Sequence, residues 1–244
     1  VVVLPRSARQ LMLLPLDTMF GRLMAWAAID QGATTWLTPP RTPPQESLGR
    51  VKPHFVAGVP SHFERIRDLV LTEREGTVGS AGRMTLGLAA PFLDPDSRFR
   101  GRRFLGRMDK RLARRFFRTR VRHLLGGRIQ TLVSGGGGMD PKVTRLFEFA
   151  GFPIVEGYGS NESVGAAVTN RPEDIRSGSV GRALGDVELR LSPGGEVLLR
   201  GEGMFAGYLR PPASPAEEPS GFGIDPARDD DGWFHTRDLG MLED

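Results

Sequence analysis

Apolar and polar positions change period several times along the chain, and each change predicts an element of secondary structure. Spacing of three to four residues predicts helices, and short aliphatic runs bounded by Gly, Pro or polar residues predict strands. The predicted helices cover residues 18–31, a segment that opens at Pro60, and 141–150. The predicted strands cover residues 33–38, which we expect to be buried, 55–59, 129–133 and 153–156. Loops are predicted over residues 39–44, 157–159 and 211–226. This order of strands and helices implies right-handed crossovers, and so an α/β fold with a mostly parallel sheet flanked by helices.

The pattern becomes β-rich after about residue 177. Two aliphatic runs, 187–191 and 196–200, surround Pro193-Gly194-Gly195 and predict a hairpin. We therefore divide the chain into a partial α/β subdomain over residues 1–180 and a smaller β-rich subdomain over residues 181–244.

The basic residues are concentrated in one segment, residues 97–128. This segment holds thirteen of the 33 Lys and Arg residues but only one of the 29 Asp and Glu residues. Its apolar residues recur at three- to five-residue intervals from Leu105 to Leu125, which predicts an amphipathic helix ended by Gly126 and Gly127. An ordinary solvated face and docking on an anionic membrane both remain open for the basic helix, taken as residues 98–128. We expect no nucleic-acid partner, because Tyr and Trp are not interleaved with the arginines.

Composition excludes several classes of site. The chain has no Cys, which rules out a disulfide scaffold, a thiolate zinc site and a Cys nucleophile. Its four His residues show no metal-binding spacing, and no Gly-x-Ser-x-Gly motif indicates a hydrolase. No apolar run reaches the roughly 20 residues that span a bilayer. We expect a cytoplasmic protein, with peripheral membrane contact as the alternative.

Three segments at predicted strand ends carry the candidate chemistry, since open parallel sheets bind ligands there. The glycines at 135–138 lack side chains, so a flat ring or an anion can approach the backbone; an ordinary tight turn is the alternative. Residues 156–163 offer an aromatic ring, polar groups and a carboxylate, which could stack a base and hold Mg²⁺, or form a polar loop around a packed Tyr. Residues 231–240 include Asp238, and a carboxylate is the usual partner of ribose hydroxyls.

Six motifs in the same order resemble the AMP-forming adenylating enzymes, and specifically the long-chain acyl-CoA synthetase branch. The strongest are Gly157-Tyr158-Gly159-x-Asn161-Glu162, similar to Gly-Tyr-Gly-x-Thr-Glu, and residues 232–240, similar to Gly-Trp-Phe-x-Thr-Gly-Asp-Leu-Gly. The other four lie at residues 14–20, 59–66, 133–137 and 195–208. The resemblance covers nearly the whole chain and identifies it as an internal fragment of the large N-terminal domain.

The resemblance implies a role for each matching residue. The backbone of Gly135, Gly136 and Gly137 would border the adenine, on which Tyr158 would stack beside Gly159. Asn161 would contact the α-phosphate, Glu162 would hold Mg²⁺, and Asp238 would bind the ribose hydroxyls. Asn161 and Glu162 are thus the catalytic candidates. The implied reaction joins a fatty acid to AMP from ATP and then to CoA, although a carrier protein could be the acceptor instead.

The chain also departs from the family pattern. It contains neither the Gly-x-Pro-Lys phosphate loop nor the C-terminal catalytic Lys, so we expect it to be inactive alone. Asn161 replaces Thr, and Arg237 replaces a Gly beside the ribose carboxylate. If that Gly requires positive φ, Arg237 strains the turn by roughly 1 to 3 kcal/mol; alternatively it pairs with Asp238 or reaches a phosphate. A non-catalytic nucleotide-binding or membrane-associated relative is the competing interpretation.

Overall fold

A seven-stranded sheet with helices on both faces dominates the first two thirds of the chain. The computed structural model describes residues 5, 7–39, 42–71, 110–210 and 223–243. The described helices are α1 (Met19–Asp30), α2 (Pro44–Val51), α3 (Pro60–Leu71), α4 (Lys110–Leu124) and α5 (Pro141–Ala150). The strands of the large sheet are β1 (Arg9–Met12), β2 (Thr34–Leu37), β3 (Phe55–Gly58), β4 (Thr131–Ser134), β5 (Ile154–Ser160), β6 (Gly165–Thr169) and β7 (Arg182–Ala183). The remaining strands are β8 (Glu188–Leu191), β9 (Glu196–Arg200), β10 (Tyr208–Arg210), β11 (Gly223–Asp225) and β12 (Phe234–Leu239).

The strand order in the large sheet is β2-β1-β3-β4-β5-β6-β7. The first five strands in this order are parallel, whereas β6 and β7 pair antiparallel. The prediction of a mostly parallel sheet flanked by helices is confirmed. Beyond β7, antiparallel sheets take over, with β12-β9-β8 forming one and β10-β11 the other. The predicted hairpin corresponds to β8 and β9.

Alternating strand residues supply two hydrophobic layers, one on each face of the sheet. One layer packs strand residues such as Leu132 and Ile154 against buried side chains of α2, α3, α4 and α5, and Phe63 meets Phe147 edge to face. The other layer packs Val133 and Val155 against α1. Because neighbouring residues of a strand point to opposite faces, a short aliphatic run is enough to build both layers.

Local sequence signals account for most of the helix boundaries. Thr18 caps α1 by accepting a hydrogen bond from Gly21 N, and Asp140 caps α5 by accepting one from Lys142 N. Gly126 and Gly127 follow α4 with φ of +85° and +86°, as predicted for the end of the basic helix. The part of the predicted basic helix before Lys110 lies outside the described residues. None of the described helices is both long and apolar enough to cross a membrane.

Four sequence predictions are wrong. Strand β2 is not buried: it lies at the sheet edge and pairs only with β1, so Trp36 is 44% exposed and Leu37 57% exposed. The predicted loop at residues 39–44 ends in the first residue of α2, a helix that opens with Pro44. The predicted loop at residues 157–159 is instead the continuation of β5, because β6 folds back and pairs with it. The predicted loop at residues 211–226 contains β11, which pairs with β10; residues 211–222 of that loop lie outside the described residues.

Candidate functional site

The glycine run lies between β4 and α5, at the carboxyl edge of the parallel strands. Gly136 has φ of +78°, a conformation that L side chains rarely adopt. A Cβ at Gly135 would lie 3.0 Å from Phe20 Cε1 and 3.4 Å from Gly157 O. The main chain at 135 therefore approaches both α1 and β5 as closely as only glycine allows comfortably.

Tyr158 projects from the irregular part of the β5–β6 pair. The register of the two strands shifts between Tyr158 and Gly159. A Cβ at Gly159 would lie 1.8 Å from Gly165 O, so the close approach of the two strands requires glycine at this position. Burial, with opposing effects of the Thr236 and Asp238 side chains, raises the pKa of Tyr158 to about 12.

The Tyr158 hydroxyl donates a hydrogen bond of 2.7 Å to Asp238 Oδ2. Eighty residues separate the two in sequence, so this bond joins β5 of the large sheet to β12 of the small one. The ring that we predicted to stack on adenine and the carboxylate that we predicted to bind ribose therefore lie side by side.

Asn161 contacts the N-terminus of α1. Its Oδ1 accepts a hydrogen bond of 3.1 Å from Met19 N, one of the helix N–H groups that have no partner within the helix. Among the described residues, its Nδ2 has no hydrogen-bond partner, which leaves an amide donor for a ligand. Asn161 thus combines contact with α1 and a donor group next to the cavity.

Glu162 is held by the β10 region. Its Oε1 accepts a hydrogen bond of 2.9 Å from the Tyr208 hydroxyl. The pKa of Glu162 is lowered, first by the nearby Ser160 hydroxyl and then by a backbone N–H and Tyr208. Ser160 Oγ is buried without a hydrogen-bond partner in the described part of the chain, so its effect on Glu162 is electrostatic. Glu162 is consequently kept ionised, the form that can bind a cation.

Arg237 adopts positive φ, as the substitution for glycine predicts. Its φ is +64°, within a register shift of the β9–β12 pair, and its N–H donates to Glu196 Oε1 at 2.9 Å. No ion pair joins Arg237 to Asp238 within the described residues. The strained alternative therefore holds, whereas the pairing alternative is wrong.

A cavity of 320 Å³ brings most of the predicted residues together. The predicted residues that line it are Gly135, Gly136, Tyr158, Gly159, Asn161 and Glu162. Asp238 adjoins the cavity through Tyr158, whereas Gly137 is directed away, since a Cβ there would meet Pro60 at 3.6 Å. Thr18 and Phe20 also line it. They belong to the motif at residues 14–20, whose match was visible in the sequence but suggested no contact with the glycines.

A metal would depend on oxygen atoms from a ligand as well as on Glu162. Within the described residues, no group of three or more His, Cys, Asp and Glu side chains could hold a metal ion. A single ionised carboxylate beside a cavity suits Mg²⁺, which is commonly bound by one or two carboxylates together with substrate phosphates. The residues present fit that arrangement.

Comparison with known proteins gives a consistent family. A model of the AMP-binding enzyme family matches residues 2–209. Long-chain-fatty-acid–CoA ligase FadD15 of Mycobacterium bovis is 28% identical over 244 residues, an alignment that covers 99% of this chain and 39% of the ligase. The chain therefore spans about two fifths of that relative's length.

Solved structures share the fold at low sequence identity. E. coli MenE with bound OSB-AMS is 17% identical with a TM-score of 0.62, over 100% of this chain and 39% of MenE. MenE from Bacillus subtilis in complex with ATP and magnesium ion is 18% identical with a TM-score of 0.59, over 99% of this chain and 40% of that one. At these identities, the similarity establishes the arrangement of strands and helices.

Proposed function

Because the chain belongs to the AMP-binding enzyme family, we propose that it forms the adenylate-binding part of an AMP-forming ligase for long-chain fatty acids. The whole enzyme would convert a fatty acid to acyl-adenylate with ATP and then to acyl-CoA. The observation that carries the proposal is the hydrogen bond from Tyr158 to Asp238, which joins two distant motifs beside the glycine-lined cavity. The similarity to a long-chain-fatty-acid–CoA ligase along the whole chain supports the choice of substrate.

The adenosine half of the nucleotide would occupy the space between the glycine run and Tyr158. The bare backbone at Gly135 and Gly136 admits a flat ring, and the Tyr158 ring supplies an aromatic surface. Asp238 would accept hydrogen bonds from ribose hydroxyls. Its second oxygen is available for this, because Tyr158 donates to Oδ2.

The phosphate half would lie toward Asn161 and Glu162. The Asn161 amide would donate to an α-phosphate oxygen, and the Glu162 carboxylate would hold Mg²⁺. When bound, the cation supplies charge stabilisation for the attack of the carboxylate on the α-phosphorus. The protein's share is positioning and preorganised charge, which account for much of catalysis in phosphoryl and acyl transfer.

Turnover would need more than these 244 residues, since the chain spans 39% of the matched ligase. We expect the purified chain to form no acyl-adenylate from ATP and a fatty acid, as measured by ATP–pyrophosphate exchange. Detectable exchange would show that the chain is self-sufficient.

Nucleotide binding tests the proposal directly. We expect the purified chain to bind AMP, measured by calorimetry, and Asp238→Asn to weaken binding about tenfold or more, because a charged hydrogen bond contributes about 1.5 to 3 kcal/mol. Arg210→Gln, which alters an exposed ion pair with Asp225, is the matched control and should bind AMP like the wild type. Equal affinity of Asp238→Asn and wild type would refute the ribose role.

Two observations favour a second candidate, a non-catalytic nucleotide-binding relative. Arg237 occupies a left-handed position in the ribose motif, and Asn161 commits its Oδ1 to α1. In a longer protein that contains all family elements, a catalytic enzyme would show ATP–pyrophosphate exchange with the natural Arg237. Nucleotide binding without exchange would favour the non-catalytic relative.

A further inference from the structure

The chain contains two tyrosines, and both donate hydrogen bonds to carboxylates of the candidate site. Tyr158 donates to Asp238, and Tyr208 donates to Glu162. We propose that Tyr208 is a positioning residue: its hydroxyl holds Glu162 Oε1 and so directs the carboxylate toward a divalent cation that binds with the nucleotide. This inference rests on the proposed function, because it assumes that Glu162 is the cation ligand.

Glu162 is attached to the Tyr208 segment through its main chain as well as its side chain. Phe205 N donates a hydrogen bond of 2.8 Å to Glu162 O. Three residues later, the Tyr208 hydroxyl reaches Oε1 at 2.9 Å. Two points of attachment restrict both the position of the Glu162 backbone and the direction of its carboxylate.

The segment that carries Tyr208 is itself well supported. The Phe205 ring packs edge to face on the Tyr208 ring, with centroids 4.9 Å apart, and on the Phe234 ring at 5.5 Å. Arg228 Nη2 donates to the carbonyls of Met204 and Phe205, each at 3.0 Å. These contacts come from β12 and the residues before it, so the small sheets determine where the Glu162 side chain lies.

The start of β10 is fixed by a close approach of two strands. Tyr208 pairs with Asp225 across the β10–β11 ladder. A Cβ at Gly207 would lie 2.3 Å from Asp225 O, so a residue with a side chain would push the strands apart. The Gly-Tyr pair, which the sequence showed as a family resemblance without a role, is thus needed to bring the phenol to Glu162.

The charge distribution is consistent with a positioning role. The hydrogen bond to Glu162, followed by burial, raises the pKa of Tyr208, while Arg237 opposes this shift. Tyr208 therefore remains a neutral donor near neutral pH. A single phenol hydrogen occupies one carboxylate oxygen and leaves Oε2 available for a cation.

A structural role alone predicts a different outcome. The Tyr208 residue is 52% exposed, so removal of its hydroxyl changes little buried surface. A positioning hydroxyl should instead alter cation affinity, since loss of a group that orients a metal ligand typically lowers metal affinity 10- to 100-fold. The two roles can be separated by comparing the free energy of unfolding with cation binding.

The experiment measures AMP affinity of the purified chain by calorimetry, with Mg²⁺ and with a chelator. In the wild type, Mg²⁺ should tighten AMP binding. Tyr208→Phe should reduce this gain about tenfold or abolish it, with metal-free AMP affinity unchanged, and Glu162→Gln should abolish it. Tyr158→Phe is the matched control: it removes the other hydroxyl and should weaken AMP in both conditions, leaving the Mg²⁺ gain intact. An unchanged gain in Tyr208→Phe would overturn the inference while leaving the proposed function standing.

A second measurement omits the nucleotide. Mn²⁺ is titrated into the wild type, Tyr208→Phe and Glu162→Gln, and binding is followed by water-proton relaxation. We expect affinity to fall in the order wild type, Tyr208→Phe, Glu162→Gln. If the wild type binds no AMP, the proposed function fails, and this titration alone decides the role of Tyr208. Equal Mn²⁺ affinity of wild type and Tyr208→Phe, or no Mn²⁺ binding to the wild type, would then overturn it.

Discussion

Glu156 is a buried acid whose ionisation should set part of the pH dependence of stability. It lies in β5 directly before Gly157 and is 6% exposed, and its Oε1 has no hydrogen-bond partner within the described residues. Burial raises its pKa from 4.5 to about 7. Its neighbour across the β4–β5 ladder, Ser134, is 2% exposed and also has an unpartnered hydroxyl. The polar end of this ladder is therefore poorly suited to a negative charge.

The raised pKa determines the sign of the effect. Between about pH 4.5 and 7 the folded state retains a proton that the unfolded state has lost, so stability falls as pH rises through this window. Each pKa unit corresponds to about 1.4 kcal/mol, so the shift amounts to roughly 3 kcal/mol at most. Glu156 borders a cavity of 240 Å³ that admits solvent, and we reduce the expected loss to about 2 kcal/mol for that reason.

Glu156→Gln removes this titration with little change in shape. We expect urea unfolding, followed by circular dichroism, to show wild-type stability falling by about 2 kcal/mol relative to the variant between about pH 4.5 and 8. Stabilities of wild type and variant that change in parallel over this range would refute the reasoning.

Salt provides the control for the cause. Glu148 and Glu173 line the same cavity as Glu156, and repulsion from them would also raise its pKa. Repulsion would be weakened by about 0.5 M salt, whereas the cost of burial would persist. A wild-type pH dependence that disappears in salt would therefore identify repulsion, not burial, as the cause.

Three further predictions concern separate parts of the fold. Arg237→Gly should stabilise the chain by about 0.5 to 1 kcal/mol in urea unfolding, because glycine adopts positive φ without strain; a loss of stability would contradict this. Asp140→Ala should cost about 1 to 2 kcal/mol in the same assay, since it removes both the α5 cap and the 3.2 Å ion pair with Arg67, whereas Asp140→Asn should cost less because Asn also caps. Anionic vesicles should co-sediment with the chain through exposed arginines of α4, and Arg115→Gln combined with Arg118→Gln should weaken this about tenfold or more; equal binding to neutral vesicles would exclude an electrostatic membrane contact.

Predictions from the sequence succeeded where the signal was local. The Thr18 and Asp140 caps, and the glycines after α4, lie where the sequence placed them, because capping depends on a few neighbouring residues. The prediction at 157–159 failed because glycines usually interrupt strands, and only pairing with β6 keeps this segment extended. Strand β2 was predicted as buried because apolar content does not distinguish an edge strand from a central one.

The candidate site divides in the same way. Motif order alone indicated the family and the residue types that contact a nucleotide, since each motif is a short contiguous pattern. Only the tertiary structure decided that Tyr158 reaches Asp238, that Tyr208 holds Glu162, and that Gly137 turns away from the cavity. Those contacts join residues 80 and 46 positions apart, and their existence depends on how three sheets pack, which no local pattern in the chain encodes.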